Sequence, residues 1–312
     1  MNPYKRKAFR FYITLRNRII ELLRLIILPG FGRMPLYDVL SFFFRGLFNG
    51  SLITRASSVA FHFFLALFPF IIFLFTLIPY IPITDFQDTL LDLFEDVIPP
   101  DTYDMVESTI FDIVKRQNTG LLSLSFVLTF FFSTNGVSAI MDGFNSTWHA
   151  IETKSWWQQR LAAMFIMVSL SVLVIIAIAL ITTGGIAINF LIEMEWIKGD
   201  FTIIMLLVMK WLIIIALIFL SVSLLYYYAP AERRTYRFFS PGSILATGLL
   251  IVGTLGFNFY IINFSRYNAL YGSIGTLMVF MLWIFFNAFI LLIGFELNAS
   301  IKHAVRQNGK RN

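Results

Sequence analysis

Asn135, Ser138 and Asp142 recur at i, i+3 and i+7, the spacing that puts three side chains on one face of a helix. Ser133 and Thr134 lie beside them inside a long apolar stretch. An amide, a hydroxyl and a carboxylate in one row can hand an ion or a polar headgroup from one to the next. The same row can instead be interhelical hydrogen-bonding glue, which is common in membranes. Lys210 also has two readings. An ammonium roughly two to three turns inside an apolar stretch can move a proton or hold an anion, or its stem can snorkel to the interface. Asn258, Asn263 and Asn287 place amides in two further apolar stretches. Glu296 places a carboxylate near the end of the last one, with Lys302 and His303 following it. Polar groups in hydrocarbon are costly, so each of these is a candidate pathway or packing residue.

Other chemistry finds nothing to work with. The chain has 0 Cys, which removes disulfides, thiolate metal sites and cysteine nucleophiles. His62, His149 and His303 fall in separate segments, without an H-E-x-x-H or G-x-S-x-G pattern. Gly184, Gly185, Gly248, Gly253 and Gly256 form no phosphate loop and suit close helix approach. The expectation is a protein with no catalytic residue, no metal and no cofactor, and not an enzyme.

The elements that must position these residues follow from hydropathy. A chain of 312 residues that is 58% hydrophobic and 13% charged, with a mean hydropathy of +0.78, carries more apolar surface than a soluble core can bury. Crossing ~30 Å of hydrocarbon takes about 20 apolar residues. Six runs free of Asp, Glu, Lys and Arg are long enough, and with the fourth extended back past Lys210 and the last through Glu296 the spans are expected at about 57–81, 119–141, 161–189, 201–228, 242–265 and 272–299. A β-barrel would show ~10-residue alternating strands instead. The fold class is therefore an all-α membrane protein: six transmembrane helices, a cytoplasmic interfacial amphipathic helix, and short helices in the first outer loop. The interfacial helix is read from Leu36, Leu40, Phe43 and Leu47 at helical spacing. The loop helices are read from the stripe Phe86, Leu90, Phe94 and Val97, ended by Pro99 and Pro100, and from Met105, Thr109, Ile110 and Ile113 beyond it. Residues 1–55 form a basic N-terminal segment with no signal-peptide cleavage site, 56–301 one six-helix domain, and 302–312 a basic tail.

Charge orients the bundle. The first 55 residues hold ten Lys and Arg against Glu21 and Asp38, so that end is cytoplasmic by the positive-inside rule. The first loop carries Asp85, Asp88, Asp92, Glu95, Asp96, Asp101, Asp104, Glu107 and Asp112 against Lys115 and Arg116, and belongs outside. That acidic loop lacks the calcium-loop pattern and reads as a solvated helix face. Arg233, Arg234 and Arg237, and then Lys302, Arg306, Lys310 and Arg311, fall inside on an even helix count.

Several segments resemble the YihY/BrkB family of bacterial inner-membrane proteins, once labelled ribonuclease BN-like. They are the Ala56 to Pro69 opening with its Phe68-Pro69 close, Tyr228-Ala229-Pro230, Pro241-Gly242-Ser243, Tyr271-Gly272-Ser273-Ile274-Gly275, and Leu282-Trp283 through Gly294-Phe295-Glu296-Leu297-Asn298-Ala299. The resemblance covers roughly residues 40–302. His62 stands where the family usually has Tyr, and Phe295 where it usually has Ala. The resemblance implies a multi-pass protein of the bacterial inner membrane, linked in the family to envelope lipid transport and in some members to serum resistance. A transporter or lipid-handling protein is the reading taken forward, with a non-transporting scaffold or envelope assembly factor as its alternative. Membrane lipids are the expected partners, nucleic acid is not, and a homo-oligomer is compatible with the sequence. Ribonuclease activity is not expected, because hydrolysing RNA needs metal ligands or an acid/base pair facing the cytoplasm, whereas the carboxylate cluster faces outward. Reporters fused after Asn312 or within 233–237 should read as cytoplasmic, and one inserted at Pro99-Pro100 as external; an external C-terminus would break the layout.

Overall fold

The computed structural model describes residues 18, 21–28, 30–32, 34–49, 51–82, 86–97, 100–147, 155–194, 200–231, 238–264 and 273–309. Most of these residues are helical, with no strand among them. In chain order the helices are α1 (Leu36–Asn49), α2 (Leu52–Leu77), α3 (Phe86–Val97), α4 (Pro100–Lys115), α5 (Thr119–Asn145), α6 (Trp156–Glu193), α7 (Asp200–Tyr228), α8 (Pro241–Phe264) and α9 (Ser273–Gly309). Six stretches are long and apolar enough to cross a membrane: Leu52–Tyr80, Thr119–Asn145, Trp156–Gly184, Ile204–Tyr228, Pro241–Ile262 and Gly275–Asn308.

Several of these stretches take in ionisable residues at which the charge-free runs stop. A filter on charge stops at the first ionisable residue, but α2 begins at Leu52 and takes Arg55 into its first turn. Likewise α9 continues beyond the expected end near 299 and carries Lys302 and Arg306 on one helix to Gly309. A charge that finds a partner does not end a helix.

By contact the chain forms two compact units, Met1–Val59 with Val137–Asn312, and Ala60–Gly136. In the first, α9 packs against α8 and α1, and α7 against α6 and α8. The α1 stripe that suits the membrane surface is largely covered by α9. Val39 and Phe43 lie in one buried cluster with Leu297, Ile301 and Ala304, and Leu36, Leu40 and Leu47 pack around it. What α1 leaves exposed is a second apolar edge, Phe44 and Phe48. The link from α1 to α2 is tight, with Ser51 at φ 52° in the left-handed region and its carbonyl accepting from Arg55 N at 3.1 Å.

The second unit closes its loop end by backbone capture. Asn118 Oδ1 accepts from Leu121 N at 3.0 Å and caps the start of α5. Gln87 of α3 donates to the carbonyls of Ile78 and Ile81, both at 3.1 Å, and Lys115 of α4 pairs with Asp88 of α3.

The spans expose most of their length. Only 6% of the α2, α6 and α7 stretches is buried, against 39% of α5, as expected where hydrocarbon is the solvent. Phe43→Ala should cost about 3 kcal/mol by emptying the cluster beneath α1, whereas Phe44→Ala should stay within about 0.5 kcal/mol; unfolding midpoints in detergent compare the two.

Candidate functional site

The end of the first unit where α2 begins is built around two buried charges. Arg55 lies in the first turn of α2, and Glu296 lies about four turns before the end of α9. Arg55 is 8% exposed and Glu296 0%, and Arg55 Nη2 approaches Glu296 Oε2 at 3.4 Å. Arg55 Nη1 donates to the Gly143 carbonyl of α5 at 2.8 Å. One guanidinium thus joins helices 88 and 241 residues away in sequence. Arg55 Nε and Glu296 Oε1 have no hydrogen-bond partner. Glu296 Oε1 rests against Gly46 of α1, where any Cβ would overlap the carboxylate. Residue 46 must therefore be glycine while Glu296 keeps this position.

Three rings pack together nearby, two of them sequence neighbours of Gly143 and Glu296. Phe144 of α5 and Phe295 of α9 stack with centroids 4.2 Å apart, and Tyr226 of α7 meets both edge-on. All three are buried. The Tyr226 hydroxyl donates to the Leu291 carbonyl at 2.6 Å, so its polar tip is satisfied inside the helix layer. Phe295 stands where the resembled family usually has Ala, and here it fills the space over Phe144.

The start of α8 completes the assembly. Ser240 caps it reciprocally with Ser243: Ser243 N donates to Ser240 Oγ at 3.2 Å, and Ser240 N donates to Ser243 Oγ at 3.1 Å. Pro241 occupies the first helical position, where its missing N–H costs nothing. Gly242 N, still without a helical acceptor, donates to Asn298 Oδ1 of α9 at 2.8 Å, and Asn298 Nδ2 donates to Ser240 Oγ at 2.8 Å. Gly242 and Gly294 meet backbone to backbone; a Cβ on Gly294 would come 2.5 Å from the Tyr226 hydroxyl and 2.6 Å from Ala246 Cβ.

The predicted residues are distributed as follows. Glu296 is in the assembly, with Gly242 and Gly294, but its partner is Arg55 rather than the nearby Lys302 or His303. His303 instead contacts Gln307 at 3.0 Å and the Phe42 ring. Asn135 and Ser138 of α5 are half-buried, and Asp142 is exposed, accepting from Gln159 Nε2 at 2.6 Å. The Lys210 stem runs over Gly184 of α6, and its ammonium stands 5.8 Å from the Trp211 ring. Asn258 is exposed, and Asn287 donates to its own helix at the Trp283 carbonyl, 2.7 Å away. Pro69 is buried within α2, and Pro230 follows the end of α7, where Ala231 N donates to Asn145 Oδ1 at 3.0 Å. Asn263 lies in α8, but its side chain, together with Tyr271 and Gly272, falls outside the described residues. Among the described residues no three His, Asp or Glu lie together in a way that could hold a metal ion.

Sequence reasoning missed Arg55, Gly46 and Gly143. A signal for Arg55 was present: it borders the first uncharged run at the same predicted membrane side on which Glu296 borders the last. Two opposite charges at one depth in a bundle are candidates to pair.

Helices of this length and hydropathy, locked by buried polar contacts, define a polytopic all-α integral membrane protein. Residues 43–312 match the family described as virulence factor BrkB, and the chain belongs to that family. It is 31% identical to the ribonuclease-like protein YfkH of Bacillus subtilis over 253 residues, which is 79% of this chain and 88% of the relative. It is 25% identical over 277 residues to a UPF0761 membrane protein of Xanthomonas campestris pv. campestris, covering 83% of this chain and 60% of that relative's length. A UPF0761 membrane protein of Idiomarina loihiensis is 25% identical over 169 residues, covering 53% of this chain and 56% of the relative. No solved structure matches the chain.

Glu296→Ala should destabilise the protein by about 3–5 kcal/mol, because it strands the Arg55 guanidinium. The double substitution Arg55→Met, Glu296→Met should recover most of that loss. Thermal unfolding in detergent measures both, and a double-variant loss equal to the sum of the two single-substitution losses would show that the pair is not coupled.

Proposed function

We propose that this integral membrane protein is a transporter or lipid-handling protein of the bacterial inner membrane, with both termini cytoplasmic. The observation that carries the reading is the state of the α5 row. Asn135 and Ser138 are only half-buried and Asp142 is exposed, whereas residues acting solely as interhelical glue gain most when fully enclosed. A polar row that stays accessible along a membrane helix is suited to contacting a moving polar group. The Arg55–Glu296 assembly then serves as a fixed anchor for the helix ends, and no step of covalent chemistry is assigned.

A non-transporting scaffold is the competing reading. It is favoured by the low coverage of the α2, α6 and α7 spans, which leaves broad apolar faces for the helices of other chains. The ribonuclease-like name belongs to YfkH, and RNA hydrolysis is not part of either proposal.

Asn135→Leu separates the two. Under the transport reading it should abolish complementation of a deletion strain while the protein stays folded and inserted. Full complementation, with only a lowered melting temperature in detergent, would sink the transport reading and leave the scaffold.

A further inference from the structure

In the second unit, the last turns of α4 meet the end of α2 and the start of α5 around a cleft of about 390 Å³. Its volume falls in the range of small-ligand sites. The walls carry two opposite charges, Asp112 and Arg116, with hydroxyls from Thr76 and Ser108 and apolar carbons from Ile113 and Leu121. The two charges stand 3.9 Å apart, beyond good hydrogen-bond length, and their side chains are 63% and 76% exposed. Each keeps capacity for a third group. Thr76 Oγ donates to the carbonyls of its own helix and lies 3.4 Å from Ser125 Oγ, which leaves it one lone pair to accept from a ligand.

A pure anion at this rim meets Asp112, and a pure cation meets Arg116. A ligand carrying both charges satisfies both. From the cleft an apolar row continues along α5 through Leu121, Leu124 and Leu128, at i, i+3 and i+7, all exposed. A soluble zwitterion has no use for that row, whereas an acyl chain does.

We propose that this cleft is a headgroup site for a phospholipid with a primary ammonium, a phosphoethanolamine lipid. Arg116 takes the phosphate, and Asp112 with the Thr76 and Ser108 oxygens takes the ammonium. One acyl chain lies along Leu121, Leu124 and Leu128. A choline headgroup cannot donate hydrogen bonds to these acceptors, and a glycerol headgroup brings net negative charge against Asp112. The inference rests on the lipid-handling reading and names a lipid class for it.

The test is native mass spectrometry of the full chain after equilibration in vesicles of equal phosphatidylethanolamine, phosphatidylcholine and phosphatidylglycerol. The unmodified protein should retain phosphatidylethanolamine about fivefold over the other two, the scale of an exposed charge pair. Asp112→Asn should erase the preference over phosphatidylglycerol, and Arg116→Gln should reduce retention of both. Asp92→Asn, on an exposed α3 position away from the cleft, should change nothing. Both cleft residues are exposed, and unchanged melting temperatures would confirm intact folds. If lipid is retained but neither cleft substitution alters the headgroup ratio, the site is wrong while lipid handling stands. If no lipid is retained, both fail. Displacement of the bound lipid by free phosphoethanolamine would overturn the lipid assignment in favour of a soluble zwitterion.

Discussion

Arg55 and Glu296 are ionisable groups enclosed within the protein, and neither can be buried as a lone charge. An isolated buried charge costs several kcal/mol, and two charges repay that only when they meet with good geometry and further hydrogen bonds. Here the contact is 3.4 Å, and the shortest bond of the guanidinium goes to the Gly143 carbonyl. The surroundings therefore have to exclude water and hold three helices at fixed distances. Gly46 leaves room for the carboxylate, and Phe144, Phe295 and Tyr226 pack against one another. A buried pair of this kind contributes little net stability. It fixes which helices are neighbours, because any other pairing leaves a charge uncompensated.

The crossing of α8 and α9 follows the same logic with neutral groups. Two glycines in backbone contact let the helices approach closely, and close approach brings Asn298 to the amide that the start of α8 leaves unsatisfied. The Ser240–Ser243 cap and the Asn298 bridge then satisfy donors and acceptors that lipid could not. Segments far apart in sequence, Pro241-Gly242-Ser243 and Gly294 to Asn298, turn out to be two halves of one joint.

This arrangement contrasts a locked end with open spans. Phe144, Tyr226 and Phe295 are enclosed, while α6 and α7 present Val172, Ile175, Val208 and Leu212 outward. The polar side chains of α5 lie between these regimes, half-covered rather than sealed.

Much of the architecture was legible in the sequence because it depends on local quantities. The number of spans, the amphipathic α1 and the helices α3 and α4 follow from hydropathy over about 20 residues and from helical periodicity. Local reading stopped at Arg55, which it treated as one more basic residue of the N-terminal segment, and it sought the partner of Glu296 within two turns. It also took the apolar stripe of α1 as membrane-facing, when α9 covers most of it. The sequence by itself thus determined which segments enter the membrane, since the bilayer asks that of each segment separately. Only the tertiary structure decided which buried charge meets which, and where glycine leaves room for a neighbouring side chain. Those outcomes depend on the distance between side chains 241 residues apart, and no local pattern encodes that distance.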